Sequence, residues 1–246
     1  MIMAKSEIIF DILFIEGTYN TRDMGGHINK NGQFLNKRKF IRSASLSGIT
    51  EEGKKYVYNL GIDCIIDLRT SCETQIDPSS FINDSKIKYI HAPLKDYIYD
   101  YMKKTDKTSF PNSMSQIYIW IIENNKNMIK RILNICANEK YSTILFHCAS
   151  GKDRTGLLAM LLFSIAEVDL KIIFEDYCIS SELLKTVTIH KRNKVLPAYF
   201  GEIEQKTMEC TITYLVNKYG SVINYATDIG INEYQLKVIK NKFIRY

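Results

Sequence analysis

Apolar and polar positions along the chain follow two periods, and the switches between them mark out the elements. Phe40-Ile41-Arg42-Ser43-Ala44, Ile62-Asp63-Cys64-Ile65-Ile66-Asp67 and Lys88-Tyr89-Ile90-His91 are short runs that predict strands. Ser142-Thr143-Ile144-Leu145-Phe146-His147 predicts a fourth strand, running straight into Cys148. Thr50 followed by Glu51 and Glu52 predicts a helix N-terminus, and Gly61 its stop. From Met114 to Ala137 apolar residues recur at helical spacing, which predicts one long helix. Residues 156–166 are apolar on nearly every face, as a helix buried beside a sheet must be. Asp169 is placed to cap a helix running to about Ser180, and later helices are predicted over roughly 181–195, 201–219, 221–228 and 232–244. Residues 97–112 are polar and tyrosine-rich and predict a loop.

This order predicts an α/β fold: a central, mostly parallel sheet flanked by helices on both faces, with a helical C-terminal extension. The 246 residues suffice for a sizeable core. With four prolines and neither repeat nor low-complexity linker, one domain spanning residues 1–246 is expected.

Composition narrows the class only a little. Apolar content of 46% and charged content of 24% are ordinary for a globular protein. The net charge of +6 favours anionic partners such as phosphorylated substrates, lipid head groups or nucleic acid, although by itself it reads first as a solvated basic surface. Nucleic acid is not expected as a partner. The run His190-Lys191-Arg192-Asn193-Lys194 reads first as a solvated helix face, and second as a peripheral contact for anionic lipid. Six cysteines lie scattered without CxxC pairs, which excludes zinc spacing and a dense disulfide framework and suits a reducing compartment. The apolar run at residues 8–15 is broken by Asp11 and lacks a cleavage site, and no stretch approaches the roughly 20 apolar residues of a spanning helix. A cytoplasmic location is expected; export by a specialised route would leave no mark of this kind.

The chemistry concentrates in His147-Cys148-Ala149-Ser150-Gly151-Lys152-Asp153-Arg154-Thr155-Gly156. Cys148 stands between a strand and a helix, with five residues between it and Arg154. That length of chain closes one tight loop whose N–H groups of Ala149, Ser150, Gly151 and Lys152 form an anion nest, with a helix N-terminus behind it. A thiolate there is a nucleophile toward phosphorus. Arg154 offers a planar fork for two phosphoryl oxygens. Gly151 lets the loop turn, Gly156 continues into the helix, Thr155 is placed to donate to the Cys148 sulfur, and His147 to orient the loop through backbone carbonyls. Two aspartates compete to protonate the leaving group: Asp153 inside the loop, and Asp96 at the start of the polar segment. Lys152 adds positive charge at the rim. Arg22, Asp23, Asp67, Arg69 and Glu73 are expected to form one buried ion-pair network beneath the loop. No cluster of His and carboxylates implies a metal, and no cofactor is implied.

The loop resembles the active-site loop of the protein tyrosine phosphatase superfamily. Its Gly-Lys-Asp-Arg-Thr-Gly ending is similar to one branch, the bacterial tyrosine and dual-specificity phosphatases that also accept phosphoinositides. Tyr19-Asn20-Thr21-Arg22-Asp23-Met24-Gly25-Gly26, Arg42-Ser43-Ala44-Ser45-Leu46, Asp67-Leu68-Arg69-Thr70-Ser71-Cys72-Glu73, Asp176-Tyr177 and Tyr219-Gly220-Ser221 extend the resemblance from about residue 17 to 244. It implies hydrolysis of phosphotyrosine, and of phosphoserine or phosphothreonine, through a phosphocysteine. It further implies proton transfer by Asp153 or by an aspartate placed like Asp96, and a lysine like Lys152 that suits substrates with several phosphates. Three other readings stay open: a phosphoinositide or inositol-phosphate phosphatase, a silent phosphate-binding module, and another cysteine enzyme such as an arsenate reductase or sulfurtransferase. The sequence leaves the oligomeric state undetermined.

Overall fold

The computed structural model describes residues 8–95, 97, 111–185, 199 and 201–244. Among them, six strands form one sheet: β1 (Asp11–Ile12), β2 (Arg22–Asp23), β3 (Phe40–Ser43), β4 (Cys64–Asp67), β5 (Lys88–His91) and β6 (Ile144–His147), in the order β1-β2-β3-β6-β4-β5. The four strands from β3 to β5 are parallel, and β1 and β2 add an antiparallel edge. Ser43, His147, Asp67 and His91 are in register, so β3, β6, β4 and β5 end together at one rim. Ligands of open α/β sheets bind outside such carboxyl ends.

Side chains alternate across the strands, and the sheet has a core on each face. Ile41, Ile65 and Leu145 pack toward α1 (Glu51–Asn59) with Val57 and Leu60. Phe40, Cys64, Ile66, Ile144 and Phe146 face the other helices. Thr50 caps α1 by accepting from the Gly53 N–H at 3.1 Å, and Gly61 sits at φ +74°, as its place after the helix requires.

The predicted helix over 114–137 is two helices, α3 (Met114–Asn124) and α4 (Lys126–Cys136). Asn125 breaks it. Its amide donates to the carbonyls of Ile121 (2.8 Å) and Lys95 (3.2 Å) and accepts from the Lys95 N–H (2.7 Å). That exchange ties the helix junction to the chain after β5 and competes with the helical ladder.

Between β4 and β5 lies the short α2 (Ser71–Ile76). After β6 come α5 (Asp153–Ile165), α6 (Leu170–Cys178, capped by Asp169) and the short α7 (Ser180–Leu183). Most of the helix predicted over 181–195, the His190–Lys194 run included, lies outside the described residues. The C-terminal extension is α8 (Gln205–Tyr219), α9 (Val222–Asp228) and α10 (Glu233–Phe243). α5 is apolar all round because β3, β6, α3, α6, α9 and α10 surround it. Lys242 donates to the carbonyls of Cys136, Asn138 and Tyr141 at 2.7–3.0 Å, tying α10 to the open end of α4.

Candidate active site

The loop from Cys148 to Lys152 leaves β6 at the sheet rim and enters α5 at Asp153. Each of its first four carbonyls accepts a hydrogen bond from outside the loop's turn. His147 Nδ1 reaches the Cys148 carbonyl at 3.1 Å and Ser45 N–H the Ala149 carbonyl at 2.9 Å. Asn20 donates to the Ser150 carbonyl at 2.9 Å, and Arg42 to the Gly151 carbonyl at 2.8 Å. In a trans peptide the following N–H points opposite to the carbonyl. The N–H groups of Ala149, Ser150, Gly151 and Lys152 are thereby turned to the other side, and none of them donates a hydrogen bond among the described residues. Four converging donors at a helix N-terminus make a cradle for an anion. Gly151 sits at φ +69°, and a Cβ there would stand 2.5 Å from the Ser43 carbonyl oxygen. A Cβ on Gly156 would come within 3.4 Å of the Tyr177 ring and 3.6 Å of Arg42, so this glycine lets α5 pack closely.

Cys148 begins the loop and Arg154 stands in the first turn of the helix after it, and they are 1% and 5% exposed. Arg154 gives two of its five donors to Glu73, Nη1 to Oε2 at 2.6 Å and Nη2 to Oε1 at 2.7 Å. Glu73 also completes the capping box of α2 by accepting from the Thr70 N–H at 2.7 Å and hydroxyl at 2.8 Å. Burial pushes the Glu73 carboxyl up, but Arg154 and Thr70 outweigh it and hold it below the usual carboxylate range.

A family model described as "Tyrosine phosphatase family" matches residues 13–245. The chain belongs to the tyrosine phosphatase family. This phosphatase is 27% identical over 214 residues to a tyrosine-protein phosphatase of Nostoc commune, covering 82% of this chain and 72% of that one. Among solved structures it is similar to TpbA of P. aeruginosa (TM-score 0.44, 10% identity, 93% of this chain and 100% of that chain). It is also similar to the core catalytic domain of the PP-IP phosphatase SIW14 from S. cerevisiae (TM-score 0.40, 16% identity, 85% and 96%). The phosphatase is a phosphoric monoester hydrolase of the tyrosine phosphatase type.

Lys152 is 5% exposed and does not stand on the rim as a solvated charge. Its ammonium bonds Asp153 Oδ1 at 2.6 Å, and the Tyr118 hydroxyl bonds the same oxygen at 2.6 Å. Burial pushes the Asp153 carboxyl up; Lys152, Tyr118 and Arg154 together pull it below the ordinary value. Asp153 is therefore a carboxylate near neutral pH in the unliganded site.

The expected network of Arg22, Asp23, Asp67, Arg69 and Glu73 is not one network. Arg22 and Arg42 share Asp176, with Arg22 Nε at 2.7 Å from Oδ1 and Arg42 on Oδ2. Burial, then Arg42, lowers Arg22 to about 10, with Asp176 opposing. Asp67 takes Arg69 through a two-residue fork, accepts the Tyr89 hydroxyl at 2.8 Å, and lies 3.6 Å from His147 Nε2. Burial lowers His147, so the ring is neutral, with its Nδ1 proton on the Cys148 carbonyl. Among the described residues Asp23 pairs with no arginine; it accepts the backbone N–H groups of Gly25 and Arg38. Charge type does not fix pairing: the partner of Arg22 comes from the fold, and Asp176 lies 154 residues from it.

Thr155 is buried, and its hydroxyl makes no hydrogen bond among the described residues, so the expected bond to the Cys148 sulfur is not formed. Asp96 lies outside the described residues. Arg42, Asp176, Asn20, Tyr118 and Tyr177 received no role from sequence. Asn20, Arg42, Asp176 and Tyr177 stand in segments that carry the family resemblance, which marks the positions without giving their partners; Tyr118 stands in none of them. Among the described residues, no group of three or more His, Cys, Asp and Glu is placed to hold a metal.

Proposed function

We propose that the phosphatase hydrolyses phosphotyrosine in proteins in two steps at Cys148. The Cys148 sulfur attacks phosphorus, the P–S bond forms, and the P–O bond to tyrosine breaks while the leaving oxygen takes a proton from Asp153. Asp153 acts here in its protonated form: the substrate's negative charge, by engaging Lys152 and Arg154, offsets the cations that hold the carboxyl ionised and raises it. Water then attacks the phosphocysteine, the P–S bond breaks, Asp153 recovers a proton from the water, and inorganic phosphate leaves. Arg154 and the four loop amides hold the equatorial oxygens throughout. The observation that carries this reading is the set of four bonded carbonyls, which turns the four N–H groups that follow Cys148 to the other side of the loop, with no partner among the described residues.

The test is phosphate release from phosphotyrosine, phosphoserine and phosphothreonine peptides by the wild type and by Cys148→Ser. The serine variant should retain peptide binding and lose turnover. Turnover above a few per cent of wild type would remove Cys148 as nucleophile. A wild type that binds phosphate without turnover would mean a silent binding module. Asp96→Asn, run beside Asp153→Asn in pH–rate profiles, decides which aspartate moves the proton: the variant that loses a limb has lost the carrier.

Lys152 favours a second reading, hydrolysis of a phosphoinositide or inositol phosphate. Its ammonium belongs to the loop itself, bonds Asp153 at 2.6 Å, and is a charge that a second phosphate can engage. Comparing kcat/KM for phosphoinositide and phosphotyrosine peptide ranks the two.

A further inference from the structure

Asp153 is held at one oxygen only. Oδ1 accepts Lys152 Nζ and the Tyr118 hydroxyl, each at 2.6 Å, while Oδ2 takes no hydrogen bond among the described residues. Tyr118 lies on α3 and is fully buried; its hydroxyl also meets the Tyr177 hydroxyl of α6 at 2.9 Å. The direction of this chain is forced. A hydroxyl has one proton, and the Tyr118 proton goes to a carboxylate, which can only accept. Tyr118 must then accept from Tyr177, so the chain runs Tyr177 to Tyr118 to Asp153. Burial, Asp153 and Tyr177 push the Tyr118 hydroxyl far above its ordinary value, so it stays a donor across the working pH range. The rings meet edge to face at 6.0 Å, which holds both hydroxyls in place.

We propose that Tyr118, backed by Tyr177, is a positioning residue that fixes Oδ1 of Asp153 and so assigns Oδ2 as the atom that carries the proton. The inference rests on Asp153 being the proton carrier. A carboxyl with one oxygen pinned by a neutral donor cannot rotate to bury its proton, and its free oxygen keeps one direction. The charged and titratable groups facing Asp153 are Lys152 from the loop, Arg154 from its own helix, Tyr118 from α3 and, through Tyr118, Tyr177 from α6. Replacing Tyr118 removes a hydrogen bond to the ionised form and leaves the charges in place. The Asp153 carboxyl must then rise.

The experiment compares pH profiles of kcat/KM for wild type, Asp153→Asn, Tyr118→Phe, Tyr177→Phe and the double variant of Tyr118→Phe with Asp153→Asn. The limb absent from Asp153→Asn belongs to Asp153. In Tyr118→Phe that limb should move up by about one pH unit, and in Tyr177→Phe by less, in the same direction. In the double variant Tyr118→Phe should add no change in profile shape. A uniform loss of activity in Tyr118→Phe with the limb unmoved means a packing role and overturns the proposal. So does a shift that persists without Asp153. If Tyr118→Phe does not fold, by its melting curve, an unmoved limb in Tyr177→Phe overturns it equally. If Asp153→Asn keeps both limbs, the proton-carrier reading itself has failed, a result distinct from an unmoved limb in Tyr118→Phe.

Discussion

Glu73 holds Arg154 by two parallel hydrogen bonds of 2.6 and 2.7 Å, and the same carboxylate closes the first turn of α2 through Thr70. One side chain thus serves as a helix cap and as the clamp on the phosphate-binding arginine. The guanidinium plane is set by α2, an element that follows β4 rather than β6. This arrangement fixes the arginine before substrate arrives, and the ordering cost falls on folding instead of on binding.

Glu73→Gln keeps the shape and replaces one carboxylate oxygen by an amide nitrogen that cannot accept from Arg154. The arginine loses its plane, while α2 loses part of its cap. Activity should fall on the order of 100-fold in kcat/KM, with a stability loss of only about 1 kcal/mol. Steady-state kinetics beside a urea melt separate the two effects. Equal fractional losses in folding and activity would show that Glu73 acts as a cap alone.

Asp176 carries the opposite balance of function and stability. It is the shared partner of Arg22 and Arg42, all three buried, and Arg42 in turn holds the Gly151 carbonyl. Asp176→Asn leaves two buried guanidiniums without a counter-charge, which costs about 3–5 kcal/mol. Burial pushes the Asp176 carboxyl up, but Arg22 and Arg42 hold it below the usual range. A carboxyl depressed in the folded state stabilises the fold fully above its unfolded value, about 3.9, and that stability is lost as pH falls through the folded value. Wild-type stability should therefore drop below about pH 4, and Asp176→Asn should lack that part of the drop. Chemical denaturation from pH 7 to pH 3 measures it; parallel curves would exclude Asp176 as a contributor.

The order of the four parallel strands and of most helices was legible because those pieces signal locally. The two-residue strands β1 and β2 and the short α2 are too brief to show a period. Thr50, Asp169, Ser221 and Asn232 all cap the helices they precede. The phosphate loop was legible because its chemistry needs a fixed spacing, and a spacing is a sequence property. The break at Asn125 was not, since its side chain is spent on the Lys95 backbone, 30 residues away. For the same reason Tyr118 looked like one more member of an apolar helical face. Its ring is core and its hydroxyl is site, and nothing in the local pattern distinguishes the hydroxyl's partner, Asp153, from solvent. The grouping of Arg22 with Asp67 and Glu73 failed because charge types alone leave pairing free: the register sets Arg22 beside Arg42, α6 brings Asp176 to both, and α2 brings Glu73 to Arg154.

Gly151 tests the cradle with little else disturbed. Its φ of +69° and a Cβ position 2.5 Å from the Ser43 carbonyl oxygen leave alanine no unstrained fit. In Gly151→Ala the peptide must turn, the Arg42 bond to its carbonyl lengthens, and the inward N–H groups lose their common aim. Turnover should fall at least 100-fold, and inhibition by inorganic phosphate should weaken in parallel. A variant that binds phosphate normally would show that the amides do not form the anion site.

Lys152 separates electrostatic tuning from substrate recognition. Its ammonium bonds Asp153 in the unliganded site and is the strongest charge lowering that carboxyl. Removing it in Lys152→Met keeps the aliphatic length and deletes the charge. The Asp153 carboxyl then rises, because burial, which pushes it up, is still opposed by Tyr118 and Arg154 but no longer by the lysine. The limb of the kcat/KM profile assigned to Asp153 should move to higher pH for every substrate. A second effect depends on the substrate. With one phosphate, all of it lies in the cradle, and the lysine contributes through Asp153 alone. With several, Lys152 is the nearest loop charge for the next phosphate, and its loss should cost a further 10-fold or more in kcat/KM. Phosphotyrosine peptide and an inositol polyphosphate, each run across pH at fixed ionic strength, separate these two effects. A shift in the limb with equal losses for both substrates assigns Lys152 to Asp153 only, and removes it as a determinant of substrate class.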